Sequence, residues 1–131
     1  METKLTIFMI AYYSNYNVEK IIKQINPKIK IIIIENSNLL ETKNYYEKKY
    51  KNINVILSKE NLGVSAASNI ALKNTDTPYA LHLDMDVDFD VNIIQDFIDC
   101  ADRIKDFALL VPQHPKKKYP ASWMYKPLIE N

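Results

Sequence analysis

Four aspartates occupy every second position of a short run and alternate with apolar residues: Asp84, Asp86, Asp88 and Asp90. In an extended strand, residues with this spacing point to the same face of the sheet. Like charges side by side destabilise a strand, and a cation such as Mg²⁺, Mn²⁺ or Ca²⁺ between carboxylate oxygens removes that repulsion. The run therefore favours a cation site. The alternative is a strand that frays into a solvated acidic loop.

Two other motifs contain carboxylates at a similar spacing. A calcium-binding EF-hand loop needs glycine at its sixth position and glutamate at its twelfth. Counted from Asp84, those positions hold Phe89 and Gln95, so the sequence excludes this motif. A phosphatase of the haloacid dehalogenase type also carries Asp-x-Asp after an apolar strand, but there the strand comes first in the fold and further acids and a lysine follow. Only 41 residues follow Asp90, so this remains the weaker alternative.

Length and composition limit the classes of protein to consider. The 131 residues are 47% hydrophobic and 25% charged, which is typical of one globular domain. A net charge of +1 gives no electrostatic reason to expect a nucleic-acid partner. Cys100 is the single cysteine, which excludes an internal disulfide and fits a reducing compartment. With no apolar segment of membrane-spanning length, we expect a cytoplasmic protein, and a peripheral membrane contact stays open.

The hydrophobic pattern alternates between strands and helices. The predicted strands are Leu5–Ala11, Ile29–Ile34, Asn54–Leu57, Tyr79–Leu83 and Phe107–Val111. The predicted helices are Val18–Ile25, Glu41–Tyr50, Val64–Lys73 and Asn92–Lys105. This alternation predicts an α/β fold, a three-layer α/β/α sandwich around a mainly parallel sheet. We expect one domain over residues 1–131, with a core over 1–111 and an irregular tail over 112–131.

Three polar turns follow predicted strands, at residues 11–15, 35–38 and 84–90. In open parallel sheets, ligands bind beyond the carboxyl ends of the strands. These turns therefore predict one shared crevice and a nucleotide-type ligand.

Four segments, in the same order and spacing, carry a resemblance to a known family. They are residues 10–14 (IAYYS), 33–37 (IIENS), 60–69 (ENLGVSAASN) and 83–86 (LDMD). Together they resemble the family 2 glycosyltransferases of GT-A fold over about residues 4–111. Each segment alone is weak evidence, whereas four in register are fairly specific.

The resemblance implies a nucleotide site at the first three segments. Ala11, Tyr12 and Tyr13 stand where the family borders the nucleotide base, and an aromatic ring there packs on uracil. Glu35 takes the place of an aspartate that accepts a hydrogen bond from the base. Asn61 and Gly63 match the Asn-x-Gly that opens the third helix, and the glycine allows a tight turn there.

The resemblance also implies sites for the diphosphate and a cation. Asn69 matches an asparagine of the third helix, although Ser68 stands before it where the family often has arginine. Asp84 and Asp86 match the family's Asp-x-Asp. The first lies near the ribose in the family, and the second helps to hold Mn²⁺ or Mg²⁺ on the diphosphate of a UDP-sugar.

The implied function is metal-dependent transfer of a sugar from a UDP-type donor to an unknown acceptor, a glycan, lipid or protein, with inversion. Family members are much longer, and their second half supplies the acceptor pocket and the catalytic base. Because Glu130 is the one acid after Val111, no catalytic residue is assigned. The alternatives are a donor-binding module completed by a partner domain or another copy, and a degenerate domain retained for assembly.

The other candidate residues have a structural interpretation beside each functional one. Asp88 and Asp90 favour the entry to the next helix, where acids suit the positive helix terminus. His82 is interpreted as structural. In the predicted tail, His114 is interpreted as a surface residue, with a metal or phosphate contact as the alternative. Lys116–Lys118 are interpreted as a solvated charge run, with a phosphate or membrane contact as the alternative. Trp123 and Tyr125 either pack on the domain or contact the acceptor or another subunit.

Overall fold

The computed structural model describes residues 3–112, apart from the side chain of Asn15, and strands alternate with helices along them. The strands are β1 (Leu5–Ala11), β2 (Lys30–Glu35), β3 (Ile53–Leu57) and β4 (Tyr79–His82). The helices are α1 (Asn15–Ile22), α2 (Leu40–Lys49), α3 (Gly63–Lys73) and α4 (Ile93–Ile104). None of the described helices is both long and apolar enough to cross a membrane.

The four strands form one parallel sheet in the order β3-β2-β1-β4. At their carboxyl ends, β1 and β2 are level, because Ala11 pairs with Glu35. β4 stops earlier, where His82 pairs with Phe8. The isoleucine run 31–34 of β2 is buried throughout, as expected for a strand covered on both faces.

Helices cover both faces of the sheet, so the predicted three-layer sandwich is confirmed. On one face, Ile7, Met9 and Ile33 belong to a core that also contains residues of α1, α2 and α4. On the other face, Phe8, Ile32 and Ile34 pack with Ala67 and Ala71 of α3. The small alanine side chains let α3 lie close to the sheet.

α1 ends three residues before its predicted end. Gln24 and Ile25 donate their backbone N–H groups to carbonyls three residues back, as in a tightened last turn. Ile25 nevertheless stays buried in the core. The apolar pattern therefore continues past the helix, which is why periodicity alone placed the end too late.

The predicted fifth strand, Phe107–Val111, is wrong. In the part of the chain that the structure describes, this segment has no strand conformation and joins no ladder. Leu109 and Val111 are 73% and 71% exposed. Apolar residues favour a strand only when a neighbouring strand supplies hydrogen bonds and packing, and residues 3–112 supply no such strand for this segment.

Candidate functional site

The carboxyl edge of the sheet brings together three of the segments singled out in the sequence. Past the end of β2, the Asn36 N–H donates to the Ala11 carbonyl at 2.8 Å. Past the end of β4, the Leu83 N–H donates to the Phe8 carbonyl at 3.0 Å. The turn after β1 therefore lies between the end of β2 and the start of the acidic run.

The acidic run leaves the sheet instead of continuing β4. Residues 85 and 86 form a turn, and all four aspartates are exposed. The interpretation of one strand with four carboxylates on a single face is therefore wrong, since a strand would have held these like charges side by side, which is destabilising. Asp90 lies before α4, and its Oδ1 accepts from the Asn92 N–H at 3.0 Å, as expected for a helix entry.

His82 connects the core to the first aspartate of the run. Its ring stacks on the buried Phe8 ring, with centroids 4.7 Å apart and planes 4° from parallel. Its Nε2 lies 3.3 Å from Asp84 Oδ1. A ring stacked on the core thus lies beside one carboxylate oxygen at the edge of the sheet.

The described acids fit a cation that takes few protein ligands. Among residues 3–112, no three His, Cys, Asp or Glu side chains come together as a metal cage. Mg²⁺ usually keeps several waters and binds through one or two carboxylates plus substrate phosphates. Asp84 and Asp86, exposed two residues apart at a turn, suit that mode of binding.

Glu35 ends β2 as a fully buried carboxylate, with no exposed surface. Its Oε1 accepts the Ser37 N–H at 2.7 Å. Its Oε2 has no hydrogen-bond partner within the described part of the chain. A buried oxygen without a donor is costly, so this atom is suited to accept an N–H group. A ligand reaches it only after the covering groups move or the side chain rotates.

The turn after β1 presents two tyrosine rings. Tyr12 and Tyr13 are 52% and 68% exposed, and their rings meet edge to face with centroids 4.7 Å apart. Tyr13 has φ of 50°, in the left-handed region. The Ser14 hydroxyl donates to the Tyr12 carbonyl at 2.6 Å, and the Ser37 hydroxyl accepts the Tyr13 N–H at 2.7 Å.

The start of α3 is joined to the same edge. Asn61 Oδ1 accepts the Gly63 N–H at 3.0 Å, and Gly63 has φ of 70°. The Asn36 amide donates to the Gly63 carbonyl at 3.5 Å. Asn69 is exposed six residues into α3, about 9 Å along the helix axis from Gly63. The structure thus separates Asn69 from the turn that holds Asn61.

Sequence reasoning missed a buried polar pair beneath these turns. Ser58, after β3, donates its hydroxyl to Asn36 Oδ1 at 2.9 Å, and both residues are buried. Polar residues directly after buried strands were the available signal.

Ionised groups between α1 and α2 form a separate cluster. Glu19 accepts hydrogen bonds from Lys49 and from the Tyr45 and Tyr50 hydroxyls. The Lys49 hydrogen bond is the main reason that the pKa of Glu19 is lowered to about 2, against an opposing effect of burial. Burial, with the charge of Glu19, raises the pKa of Tyr46. These contacts stabilise the packing of two helices.

The predicted irregular tail over 112–131 lies outside the described residues from position 113 on, and with it the candidate residues His114, Lys116–Lys118, Trp123 and Tyr125.

Comparisons with known proteins agree with this architecture. The sequence model of glycosyl transferase family 2 matches residues 13–129. None of the curated proteins compared with the chain matches it. The crystal structure of residues 1–349 of S. aureus TarS superposes with a TM-score of 0.64 at 17% identity. The match covers 85% of this chain and 39% of the TarS chain, so this chain spans well under half of that structure.

Proposed function

The chain belongs to glycosyl transferase family 2, and we propose that it binds a UDP-type sugar nucleotide with Mn²⁺ or Mg²⁺ for transfer of the sugar to an acceptor. The observation that carries this proposal is the carboxyl edge of the sheet. There Ser37, in the turn after β2, accepts a hydrogen bond from the turn that holds Tyr12 and Tyr13, called the tyrosine turn below. Asn36 and Leu83, just past β2 and β4, donate to carbonyls of β1. In open parallel sheets, nucleotides bind at this edge.

Glu35 and the tyrosine turn are proposed to hold the base. Uracil carries a ring N–H that a carboxylate oxygen can accept, and Glu35 Oε2 is a buried acceptor that lacks a partner among the described residues. Tyr12 and Tyr13 expose aromatic surface next to Ala11 for packing on the base. Their contacts with the base would raise affinity without taking part in bond cleavage.

Asp84 and Asp86 are proposed to bind the ribose and the cation, respectively. Asp84 offers an exposed carboxylate next to the His82 ring, with Oδ1 3.3 Å from Nε2, and a carboxylate oxygen can accept a ribose hydroxyl. Asp86 offers an exposed carboxylate on the neighbouring turn. A bound divalent cation would neutralise charge on the leaving diphosphate. Asn61 and Gly63 are proposed to contact the nucleotide from the turn that opens α3, and Asn69 is proposed to contact it from a separate position about 9 Å further along that helix.

The proposal assigns no acceptor and no residue as the catalytic base. Because the chain spans 39% of the TarS chain, a second candidate function is donor binding without turnover, with a partner domain or another copy supplying the acceptor site. We place the protein in the cytoplasm, with peripheral membrane contact as the alternative, on the basis of its single cysteine and ordinary charge.

Titration calorimetry of UDP with and without Mn²⁺ tests donor binding. We expect measurable binding that is stronger with Mn²⁺, and Asp86→Ala should abolish the difference. Asp88→Ala is the matched control, since it removes an exposed carboxylate two residues along the same run. Absence of UDP binding in both conditions, or equal loss in both variants, would overturn the proposal.

The base contact and turnover need two further measurements. Glu35→Gln keeps the side-chain shape but replaces one acceptor with an amide donor, so we expect it to weaken UDP binding about 10-fold while CDP binding changes less. Release of UDP from UDP-sugars, followed chromatographically, distinguishes sugar transfer from donor binding without turnover. Metal-dependent binding of UDP without release of UDP from any UDP-sugar would favour the second candidate function, donor binding without turnover.

A further inference from the structure

Ser37 forms hydrogen bonds to both Glu35 and Tyr13, two residues of the proposed base site. Its backbone N–H donates to Glu35 Oε1 at 2.7 Å, and its hydroxyl accepts the Tyr13 N–H at 2.7 Å. Tyr13 lies in the turn after β1 and Glu35 is the last residue of β2, 22 positions apart in the sequence. One residue therefore links the carboxylate at the end of β2 to the backbone of the tyrosine turn.

The tyrosine turn needs such an outside contact to keep its shape. Tyr13 adopts φ of 50°, which is unfavourable for a residue with a side chain. The Ser14 hydroxyl donates to the Tyr12 carbonyl and so holds the turn from within. The start of the turn is fixed by Ala11, which pairs with Glu35 and accepts the Asn36 N–H, and the Ser37 hydroxyl extends this link to the Tyr13 backbone two residues further on. Because both rings are exposed, packing alone does not hold them in place.

We propose that Ser37 is a positioning residue for donor binding: its hydroxyl holds the tyrosine turn at a set distance from Glu35 and thereby sets the width of the base site. This inference rests on the proposed function. It assigns Ser37 no contact with the nucleotide. A side chain without a hydroxyl at this position leaves the Tyr13 N–H without its acceptor and frees the turn, while Glu35 keeps the backbone N–H of residue 37.

The test compares Ser37→Ala with Ser37→Thr, which retains the hydroxyl, by calorimetry of UDP and of inorganic pyrophosphate, each with Mn²⁺. We expect Ser37→Ala to weaken UDP binding about 5- to 10-fold, as for one lost hydrogen bond, and to leave pyrophosphate binding unchanged. Ser37→Thr should bind UDP within about twofold of the unaltered chain. Thr75→Ala is the control, because it removes a hydroxyl that bonds to the Ala71 carbonyl at the far end of α3.

The outcomes separate this inference from the proposed function. If the unaltered chain binds no UDP, the proposed function fails. If the unaltered chain binds UDP and Ser37→Ala binds it equally well, Ser37 has no positioning role although the function stands. A parallel loss of UDP and pyrophosphate binding in Ser37→Ala would indicate general loosening of the fold and would also overturn the inference. Failure of Ser37→Thr to restore UDP binding would exclude the hydroxyl as the cause.

Discussion

Glu47 reaches from α2 to the backbone of β3, where its Oε1 accepts the Val55 N–H at 2.9 Å. Lys43, one turn earlier, donates to the Val55 carbonyl at 2.5 Å and to Glu47 Oε1 at 2.7 Å. β3 lies at the edge of the described sheet. Unpaired backbone groups on an edge strand can pair with another chain. This ion pair therefore occupies both backbone groups of one residue on that edge.

We expect Glu47→Ala to lower the free energy of unfolding by about 1–2 kcal/mol, because the partly buried Val55 N–H loses its acceptor. Urea denaturation measures the change. Glu41→Ala, an exposed carboxylate on the same helix, should stay within about 0.5 kcal/mol of the unaltered chain. Equal effects of the two variants would show that the contact with β3 does not stabilise the fold.

Stability should depend on pH through Glu19. Its pKa is lowered from the ordinary 4.5 to about 2, chiefly by the Lys49 hydrogen bond. As the pH falls, the unfolded chain takes up this proton first, so the stabilisation present above about pH 4.5 is lost toward about pH 2. Urea midpoints measured across this range should fall more steeply for the unaltered chain than for Glu19→Gln. An unchanged slope in Glu19→Gln, or the same change in Glu41→Gln, would contradict this assignment.

Gly63 offers a test of backbone strain without steric interference. A Cβ added there meets no atom within 4 Å, yet φ is 70°. Gly63→Ala should therefore cost about 1–2 kcal/mol of unfolding free energy from the left-handed conformation alone. Gly63→Asn should cost less, because asparagine adopts this conformation more readily. Thermal or urea unfolding of the pair checks the order, and equal stability of Gly63→Ala and the unaltered chain would refute it.

The buried Asn36 and Ser58 pair should show coupled energetics. Each single change to alanine leaves the other polar group without this partner in a site that is 4% exposed, at a cost of about 1–3 kcal/mol. The double variant loses both groups, so its cost should be smaller than the sum by about 0.5 kcal/mol or more. Urea denaturation of the four proteins measures the coupling. Strict additivity would mean that the 2.9 Å contact contributes nothing specific.

The sequence by itself was enough to predict the layered fold, because the information is local. A continuous isoleucine run predicts a strand buried on both faces, and 31–34 is such a strand. The alternation of strands and helices predicts parallel pairing, which all three strand pairs show. The order of the candidate segments, from Ala11 to Asp86, also predicts which turns follow which strands.

Only the tertiary structure decided how far β4 extends and which polar groups meet. The aspartate run has the alternation of a strand, yet the chain leaves the sheet after His82, where pairing with β1 ends. Leu109 and Val111 have strand propensity, yet they pair with no strand in the part of the chain that the structure describes. The contacts of Ser37 with Tyr13 and of Ser58 with Asn36 join residues more than 20 positions apart. Hydrophobic periodicity is a property of neighbouring residues, whereas hydrogen bonds between distant turns depend on how the packed strands align them.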